Sequence, residues 1–266
     1  AGDIPPITLA FLRWCVAFIV FLPIAYSRVK REWHIIKANW PIVIVMAITG
    51  VACFNTLVYI GVYYTTSINA SLMNSSTPII IYILSFVFLK ERLSKFQLIG
   101  TALSLAGVIF ILSKGSLETL LSFSFNKGDL IVLIAVFCWG VYSLLVKQYA
   151  GRLPGYSTFL VTIALGVMML LPFTIYELMT TSVEIVWSPS TIGAILYVGI
   201  IASIVAFLSW NNGVVALGAN KASIYLNFIP LFAAIFAVLF LDEDLLLAQL
   251  IGGLAVICGV LLANKK

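Results

Sequence analysis

A set of amides, hydroxyls and aromatic rings lies inside segments of the sequence that are otherwise apolar. Amide and hydroxyl groups donate and accept hydrogen bonds, and aromatic rings offer apolar faces, so together they suit the binding of a small neutral or zwitterionic molecule. We therefore predict that these side chains line a binding cavity. The predicted cavity residues are Asn55, Tyr59, Asn74, Ser75, Trp139, Tyr142, Trp210, Asn211, Tyr225 and Asn227.

Residue types that catalyse reactions or bind metals are scarce in the same segments. Arg13 is the one ionisable side chain deep within an apolar segment. The sequence contains no HExxH motif, no paired carboxylates at such a depth and no serine–histidine arrangement. Its four cysteines lie singly in different segments, without the spacing of metal ligands. We predict that the protein is not an enzyme and uses no cofactor or metal.

The segments that hold these residues are long enough to cross a membrane. The 266-residue sequence is 62% hydrophobic and 9% charged, with a mean hydropathy of +1.14, whereas about 25% of residues are charged in ordinary globular chains. Stretches of roughly 20 apolar residues span a hydrocarbon core. We predict an all-α polytopic membrane protein, surrounded by the lipid bilayer, as a monomer or homodimer. The predicted spans are 7–26, 40–63, 69–89, 96–113, 129–147, 156–175, 191–213, 221–241 and 246–263.

The basic residues follow a pattern that predicts membrane topology. The net charge is +5, yet most Lys and Arg residues fall at one alternating set of span ends, whereas Glu118, Glu177 and Glu184 fall at the other. The positive-inside rule therefore predicts residue 1 outside and a cytoplasmic C-terminus. We expect the membrane to be a bacterial plasma (inner) membrane. The same pattern argues against nucleic-acid binding. Arg13 lies about two turns into the first span, so it either extends to the outer surface or faces a hydrated interior.

A polar stretch interrupts the third predicted span. Asn74 is followed by Ser75, Ser76, Thr77 and Pro78, and consecutive residues point all the way round a helix. Pro78 also lacks a backbone donor, so it leaves the carbonyl of Asn74 without its helical partner. Two interpretations remain open. The stretch is either a kinked packing helix whose hydroxyls bond their own backbone, or an interrupted helix that lines a hydrated cavity.

The sequence contains an internal duplication. At an offset of 152 residues, Pro78 corresponds to Pro230 and Glu91 corresponds to Glu243. Chance alignment of apolar residues does not match prolines and carboxylates in this way. We therefore predict equivalent helix breaks at Pro78 and Pro230.

The duplication predicts two inverted repeats, at residues 1–114 and 128–265. The second repeat has five spans and the first has four, so we expect one further helix before Ala1, giving ten helices in the natural chain and nine in this sequence. An odd number of spans per repeat places the two repeats upside down relative to each other. Inverted repeats are typical of alternating-access carriers, whose binding sites lie at interrupted helices near the membrane midplane.

The repeats carry motifs that resemble a known family. Residues 69–113 contain the pattern Ala-Ser…Thr-Pro…Leu-Lys-Glu-Arg-Leu…Gln-Leu-Ile-Gly…Ala-Gly, and residues 221–263 contain a related copy. This pattern is similar to the EamA domain of the drug/metabolite transporter superfamily. The resemblance covers nearly the whole chain and implies ten helices in two repeats, a central cavity and often export from the cytoplasm. The second copy departs from the pattern, because Glu243 is followed by Asp244 and not by Arg.

These features favour a membrane transporter for small neutral or zwitterionic solutes, with export of amino acids or related metabolites expected. A channel or a non-transporting membrane scaffold is the alternative, and a membrane enzyme is less favoured. Phosphorylated sugars are not expected, because a dianion requires several inward Lys or Arg residues and only Arg13 is a candidate. The lack of deep carboxylates favours facilitated exchange or weak coupling over strong proton coupling.

Overall fold

The computed structural model describes residues 4–121, 124–181, 185–240 and 246–265, apart from the side chain of Leu120. Within these ranges, eight helices are long and apolar enough to cross a membrane, and a ninth apolar helix has 17 residues. No strand occurs among the described residues, and the prediction of an all-α polytopic membrane protein is confirmed. The helices are α1 (Pro6–Ala38), α2 (Trp40–Tyr64), α3 (Ser67–Leu89), α4 (Lys95–Leu112), α5 (Lys127–Tyr149), α6 (Gly155–Thr180), α7 (Pro189–Leu217), α8 (Ala219–Phe240) and α9 (Leu247–Ala263).

Local capping groups determine where several of these helices begin. The first N–H groups of a helix lack partners within the helix, and a nearby side-chain oxygen can accept from them. At the start of α4, Ser94 Oγ accepts from the Gln97 amide at 3.1 Å, and Gln97 Oε1 accepts from the Ser94 amide at 2.9 Å. Asn126 and Asp129 form a similar reciprocal pair at the start of α5.

Two of the helices contain a π-helical segment. The segment is Ala47–Cys53 in α2 and Val198–Val205 in α7. In a π-helix each N–H bonds the carbonyl five residues earlier, as the amide of Phe54 bonds the carbonyl of Thr49. The two segments nearly coincide at the 152-residue offset of the predicted repeats. Because π segments are rare and frequently lie at functional sites, we expect α2 and α7 to contribute to the functional site.

The polar stretch of α3 interrupts the helix, and hydroxyl groups of the same stretch donate hydrogen bonds to the backbone carbonyls around the interruption. One helical piece ends at Ser75, and the next begins at Thr77, directly before Pro78. The Thr77 hydroxyl donates to the carbonyl of Asn74. The carbonyl that Pro78 leaves without its helical partner therefore has a side-chain partner in its place, because a threonine three residues along the chain can bond back to it. The hydroxyls of Ser75 and Ser76 also donate to carbonyls of their own helix, as the first of the two sequence interpretations requires.

The chain forms two compact units, and each takes residues from both halves of the sequence. The boundaries between the units fall inside α2 and α5, so these two helices each contribute to both units. The first unit comprises Ala1–Ile60 and Val141–Ala216, and the second comprises Gly61–Gly140 and Leu217–Lys266.

The two units are defined by contacts and differ from the two sequence repeats, 1–114 and 128–265, whose boundaries stay a prediction.

Three acidic residues used in the charge and repeat arguments, Glu184, Glu243 and Asp244, lie outside the described residues.

In the first unit, α1 and α6 run antiparallel and are joined at both ends. Glu177, near the end of α6, accepts from the backbone amides of Ile7 and Thr8 at 3.1 and 2.6 Å. At the opposite ends, the Ser157 hydroxyl of α6 donates to Glu32 of α1 at 2.5 Å. Thr8 and Ser157 correspond at the 149-residue offset. The two contacts are therefore close to equivalent, as expected for inverted copies of one helix.

Each helix of this pair also packs against a π segment. α1 contacts the π segment of α7, where a side chain on Gly199 would overlap Val16 of α1. α6 contacts the π segment of α2, where Gly166 lies against Val51. Small residues allow helices in a membrane to approach closely, so the glycines bring both π segments against the α1–α6 pair.

In the second unit, α4 and α9 cross closely at paired glycines. A Cβ atom on Gly100 would lie 2.5 Å from the carbonyl oxygen of Gly259, and one on Gly107 would lie 2.5 Å from that of Gly252. The order of these contacts shows that the two helices are antiparallel. Only glycine leaves room for backbones this close.

Candidate functional site

Arg13 lies inside the first unit. It is part of α1, and only 4% of its surface is exposed. The sequence left open whether this side chain extends to a surface or points inward, and the structure has it packed inward. The rings of Trp14 and Tyr59 lie beside it, with centroids 5.4 and 5.8 Å from Cζ.

Three polar side chains accept hydrogen bonds from the Arg13 guanidinium. Nε donates to Ser203 Oγ at 2.8 Å, and Nη1 donates to Asn55 Oδ1 at 2.9 Å and to the Tyr59 hydroxyl at 2.8 Å. Asn55 and Tyr59 follow the π segment of α2, and Ser203 lies within that of α7. One cation therefore connects α1 to both helices that contain π segments. We call Arg13 and these three partners the Arg13 cluster.

The charge of Arg13 is not balanced by its neighbours. Its three hydrogen-bond partners are neutral, and among the described residues no carboxylate forms an ion pair with it. Burial of an ion without a partner of opposite charge costs several kcal/mol. Two buried donors beside Arg13, Asn55 Nδ2 and Trp14 Nε1, also have no acceptor in the described part of the chain. The cluster therefore combines an uncompensated cation with spare hydrogen-bond donors.

Tyr142 and Asn211, both predicted cavity residues, line a cavity of about 250 Å³ in the first unit. The Tyr142 hydroxyl donates to Asn211 Oδ1 at 3.0 Å. Trp210, the neighbour of Asn211, donates from Nε1 to the Ser143 hydroxyl at 3.1 Å. An apolar lining with a few polar groups is typical of small-molecule sites. The lining also includes Met46, Tyr149, Thr158, Phe159 and Thr162.

Aromatic rings connect the Arg13 cluster to this cavity. The Trp14 ring packs edge-on against Phe207 with 5.0 Å between centroids, and the Phe207 ring lies 6.0 Å from Tyr142 and 5.9 Å from Phe159. Such ring pairs contribute about 0.5–1.5 kcal/mol each beyond the burial of their area. A continuous series of rings therefore runs from the charged cluster to the cavity within one unit.

The other five predicted cavity residues lie in the second unit. Asn227 is fully buried in a single 3₁₀ turn that ends three residues before Pro230, and its Nδ2 donates to Ser104 Oγ at 3.0 Å. Ser75 bonds its own helix, and Tyr225 is 42% exposed. A cavity role for this group stays a prediction. The five residues are Asn74, Ser75, Trp139, Tyr225 and Asn227.

Asp129 is a buried carboxylate that was not predicted as a binding residue. It has no exposed surface, and it accepts from the Thr65 hydroxyl at 2.5 Å, from Asn69 Nδ2 at 3.3 Å and from the Asn126 amide at 2.9 Å. Its spacing from Asn126, directly before an apolar run, is the sequence signal of a helix cap. Asp129 therefore caps α5 and connects it to α3.

Ser203 is the member of the Arg13 cluster that the sequence analysis missed. It is a single serine in an apolar run, and such a serine commonly bonds its own helix. Its hydroxyl does donate to the carbonyl of Val198 at 2.8 Å, but it also accepts from Arg13. The useful signal was Arg13 itself, since a buried guanidinium requires several acceptors. In the part of the chain that the structure describes, no group of His, Cys, Asp or Glu residues is arranged to hold a metal ion.

Comparison with known proteins places the chain in a family. The EamA-like transporter family matches residues 1–113 and 126–265. A protein of Bacillus subtilis (strain 168) named uncharacterized transporter YyaM is 30% identical over 269 residues, which cover 99% of this chain and 86% of that protein. A protein of Streptantibioticus cattleyicolor named probable terminal-alkyne amino-acid exporter is 25% identical over 229 residues, which cover 85% of this chain and 73% of that protein.

The fold agrees with a solved structure. A crystal structure that is 20% identical in sequence matches 99% of this chain and 88% of the other chain with a TM-score of 0.80. At this identity the likeness concerns the fold alone. The apolar helices and the names of the relatives indicate an integral membrane protein that acts as a transporter. The chain belongs to the EamA-like transporter family.

Proposed function

We propose that the protein exports small neutral or zwitterionic solutes, and that amino acids or related metabolites are its substrate class. Alternating access between two inverted repeats is the proposed mechanism. The observation that carries the proposal is the cavity of about 250 Å³ in the first unit, where Tyr142 and Asn211 meet among aromatic and apolar side chains.

The chemistry of this cavity supports that class of solute. The residues that line it, all of them described, include no charged side chain. Amide and phenol groups exchange hydrogen bonds with the carbonyl, amine and hydroxyl groups of a solute without adding net charge. Met46 and Phe159 offer apolar surface for the rest of the solute. A phosphorylated solute needs several cations and is therefore not proposed.

The name of one relative supports the same class. The Streptantibioticus cattleyicolor protein is named as a probable exporter of a terminal-alkyne amino acid. Such a solute combines a zwitterionic end with an apolar side chain, the combination for which an aromatic and amide lining is suited.

Transport by the purified protein in liposomes tests the proposal. Thermal-shift screening against amino acids and metabolites first identifies solutes that stabilise the protein, and these are then used in radiolabelled form. We expect saturable uptake that accelerates when the liposomes are preloaded with unlabelled solute. Uptake that rises linearly with concentration and shows no counterflow would indicate a channel, and no uptake of any stabilising solute would indicate a scaffold.

Tyr142→Phe and Asn211→Ala test the cavity itself. Each removes a polar group that we propose bonds the solute, a contact worth about 1 kcal/mol, whereas hydrogen bonds between helices contribute only about 0.6 kcal/mol on average to membrane-protein stability. We expect both variants to fold and the KM of transport to rise about fivefold to tenfold.

Asn264→Ala serves as the control for these variants. Asn264 lies after α9 in the second unit and bonds the carbonyl of Val260, so transport by this variant should match that of the parent. An unchanged KM in both cavity variants would show that the solute binds elsewhere.

A further inference from the structure

We infer that the Arg13 cluster binds the carboxylate of the transported solute. The inference rests on the proposed function and makes it more specific, because it names a carboxylate-bearing solute, such as the zwitterion of an α-amino acid. Its basis is a buried guanidinium that donates to three neutral side chains and, among the residues the structure describes, to no carboxylate.

The balance of charge argues for an anionic ligand. Arg13 is 4% exposed, and a buried cation without an anion carries a desolvation cost that nothing offsets. Its partners supply acceptor atoms but no negative charge. A ligand carboxylate would supply both, and hydrogen bonds between a guanidinium and a carboxylate are roughly twice as strong as those between neutral groups. Ionisable residues within membrane spans also tend to mark the path of a substrate.

The donors that a carboxylate requires are present in the cluster. A guanidinium has five N–H groups, and the bonds to Ser203, Asn55 and Tyr59 use only Nε and Nη1. Asn55 is 8% exposed, and its Nδ2 group has no acceptor in the described ranges. Tyr59 accepts from Arg13 through its oxygen, which leaves its O–H group to donate. Because Nη1 contacts Asn55 and Tyr59 at once, these donors lie within one small region.

A single carboxylate matches the charge of this cluster better than a dianion does. Arg13 is the only cation in the hydrogen-bonded cluster, whose members are all described, whereas a phosphate dianion would need further positive charge. The Trp14 and Tyr59 rings beside the guanidinium suit an apolar or aromatic group next to the carboxylate. Aromatic carboxylic acids are therefore suitable probes.

Pairs of probes that differ only in the carboxylate test the inference. The purified full chain is titrated in detergent with 3-phenylpropionate and 3-phenylpropionamide, and separately with L-phenylalanine and L-phenylalaninamide, while its melting temperature is measured. We expect each acid to stabilise the protein at a concentration at least about tenfold lower than its amide does. Equal effects of acid and amide, or no effect of either acid, would overturn the inference.

Asn55→Asp separates binding from folding. The new carboxylate replaces an oxygen that lies 2.9 Å from Arg13 Nη1, so the guanidinium gains an internal ion pair and no longer needs an anion from the solute. We expect this variant to fold at least as stably as the parent and to bind the acids at least about tenfold more weakly. Binding equal to that of the parent would show that Arg13 only connects α1 to α2 and α7.

Three further variants control for charge and shape. Gln148→Glu adds the same negative charge at an exposed position of α5 in the same unit, and it should bind the acids as the parent does. Arg13→Lys keeps the charge but loses the planar fork of donors, so its affinity for the acids should lie between those of the parent and Arg13→Gln. Loss of binding in Gln148→Glu, or no difference between the lysine and glutamine variants, would contradict the inference.

Counterflow in liposomes separates a failure of this inference from a failure of the proposed function. If the parent exchanges solutes but transports acid and amide equally well, the carboxylate site is overturned and the transport proposal stands. If the acids bind in a manner that depends on Asn55 and no solute is exchanged, the site stands and the transport proposal fails.

Discussion

The polar residues of this protein differ in whether they bond within one helix or between helices. Ser75 and Thr77 donate to carbonyls of their own helix, whereas Arg13 and Asn55 bond to each other from α1 and α2. A hydroxyl has a single proton, and the bond to its own backbone uses it. Amides and guanidinium groups carry more donors than one partner can use. The residues that bond between helices are therefore the stronger candidates for contact with a solute.

We predict that the hydrogen bond between Asn227 and Ser104 stabilises the second unit. Both side chains are fully buried, and Asn227 Nδ2 lies 3.0 Å from Ser104 Oγ. Asn227→Ala and Ser104→Ala each remove this bond, so the double variant should lose less stability than the sum of the single variants. Unfolding measurements in a double-mutant cycle should give a coupling energy of roughly 0.6–1.7 kcal/mol.

The control for this cycle is Ser71→Ala. The Ser71 hydroxyl donates to the carbonyl of Ser67 on its own helix at 2.7 Å, so its effect should simply add to that of Asn227→Ala. A coupling energy near zero between Asn227 and Ser104 would mean that their bond does not contribute to folding.

Among the elements, the π segments of α2 and α7 position residues of both the Arg13 cluster and the cavity. Asn55 and Tyr59 follow the segment of α2 and bond Arg13, and Ser203 lies in the segment of α7. In the same segment of α2, a side chain on Gly50 would overlap the ring of Tyr142. A π turn holds one more residue than an α turn. It therefore rotates the side chains that come after it to a different face of the helix. Both the Arg13 cluster and the cavity therefore depend on these segments.

The close crossing of α4 and α9 predicts that alanine destabilises the protein much more at Gly259 than at Gly213. A Cβ atom on Gly259 would lie 2.5 Å from the carbonyl oxygen of Gly100 and 2.6 Å from the amide nitrogen of Ser104. Because backbone atoms cannot rotate aside, Gly259→Ala should destabilise the protein by about 1–3 kcal/mol, as measured by thermal unfolding.

Gly213→Ala is the matched control for this substitution. No atom lies within 4 Å of a Cβ built on Gly213, and alanine favours a helix interior over glycine by up to about 1 kcal/mol. This variant should be as stable as the parent or slightly more stable. Equal losses in the two variants would show that the close crossing does not decide stability.

For the whole molecule, equivalent helices of the two predicted repeats pack against each other. α1 pairs with α6 in the first unit, and α4 pairs with α9 in the second. These partners correspond at offsets of 149 and 152 residues, respectively. Both pairs are antiparallel, as their end contacts and glycine contacts show. An antiparallel arrangement of equivalent helices is the arrangement that inverted repeats require.

The charge pattern predicts the orientation of the whole molecule in the membrane. Lys30 and Glu118 are both exposed and lie at ends of opposite predicted sidedness. In a variant without the four free cysteines, Glu118→Cys should react with a membrane-impermeant thiol reagent added to intact cells. Lys30→Cys should react only after the membrane is permeabilised. The reverse pattern of labelling would overturn the predicted cytoplasmic C-terminus.

The class of protein and the approximate helices were determined by the sequence alone. A chain in hydrocarbon must satisfy its backbone within each span, so stretches of roughly 20 apolar residues are sufficient to predict helices such as α5 and α6. The duplicated motifs around Pro78 and Pro230 likewise indicated the family. These properties depend on local composition and on repetition along the chain, and both can be read without knowing which residues meet.

The partners of the polar side chains were decided only by the tertiary structure. Arg13 meets Asn55, Tyr59 and Ser203, which lie 42, 46 and 190 residues away in the sequence. In an apolar span, lipid and protein demand the same hydrophobic residues, so the pattern does not show which face meets another helix. The π segments also escaped prediction. Their hydrogen bonds join backbone N–H and C=O groups, which are the same in nearly every residue, so the sequence does not indicate where they form. In the structure, the π segment of α7 packs against α1 and that of α2 packs against α6.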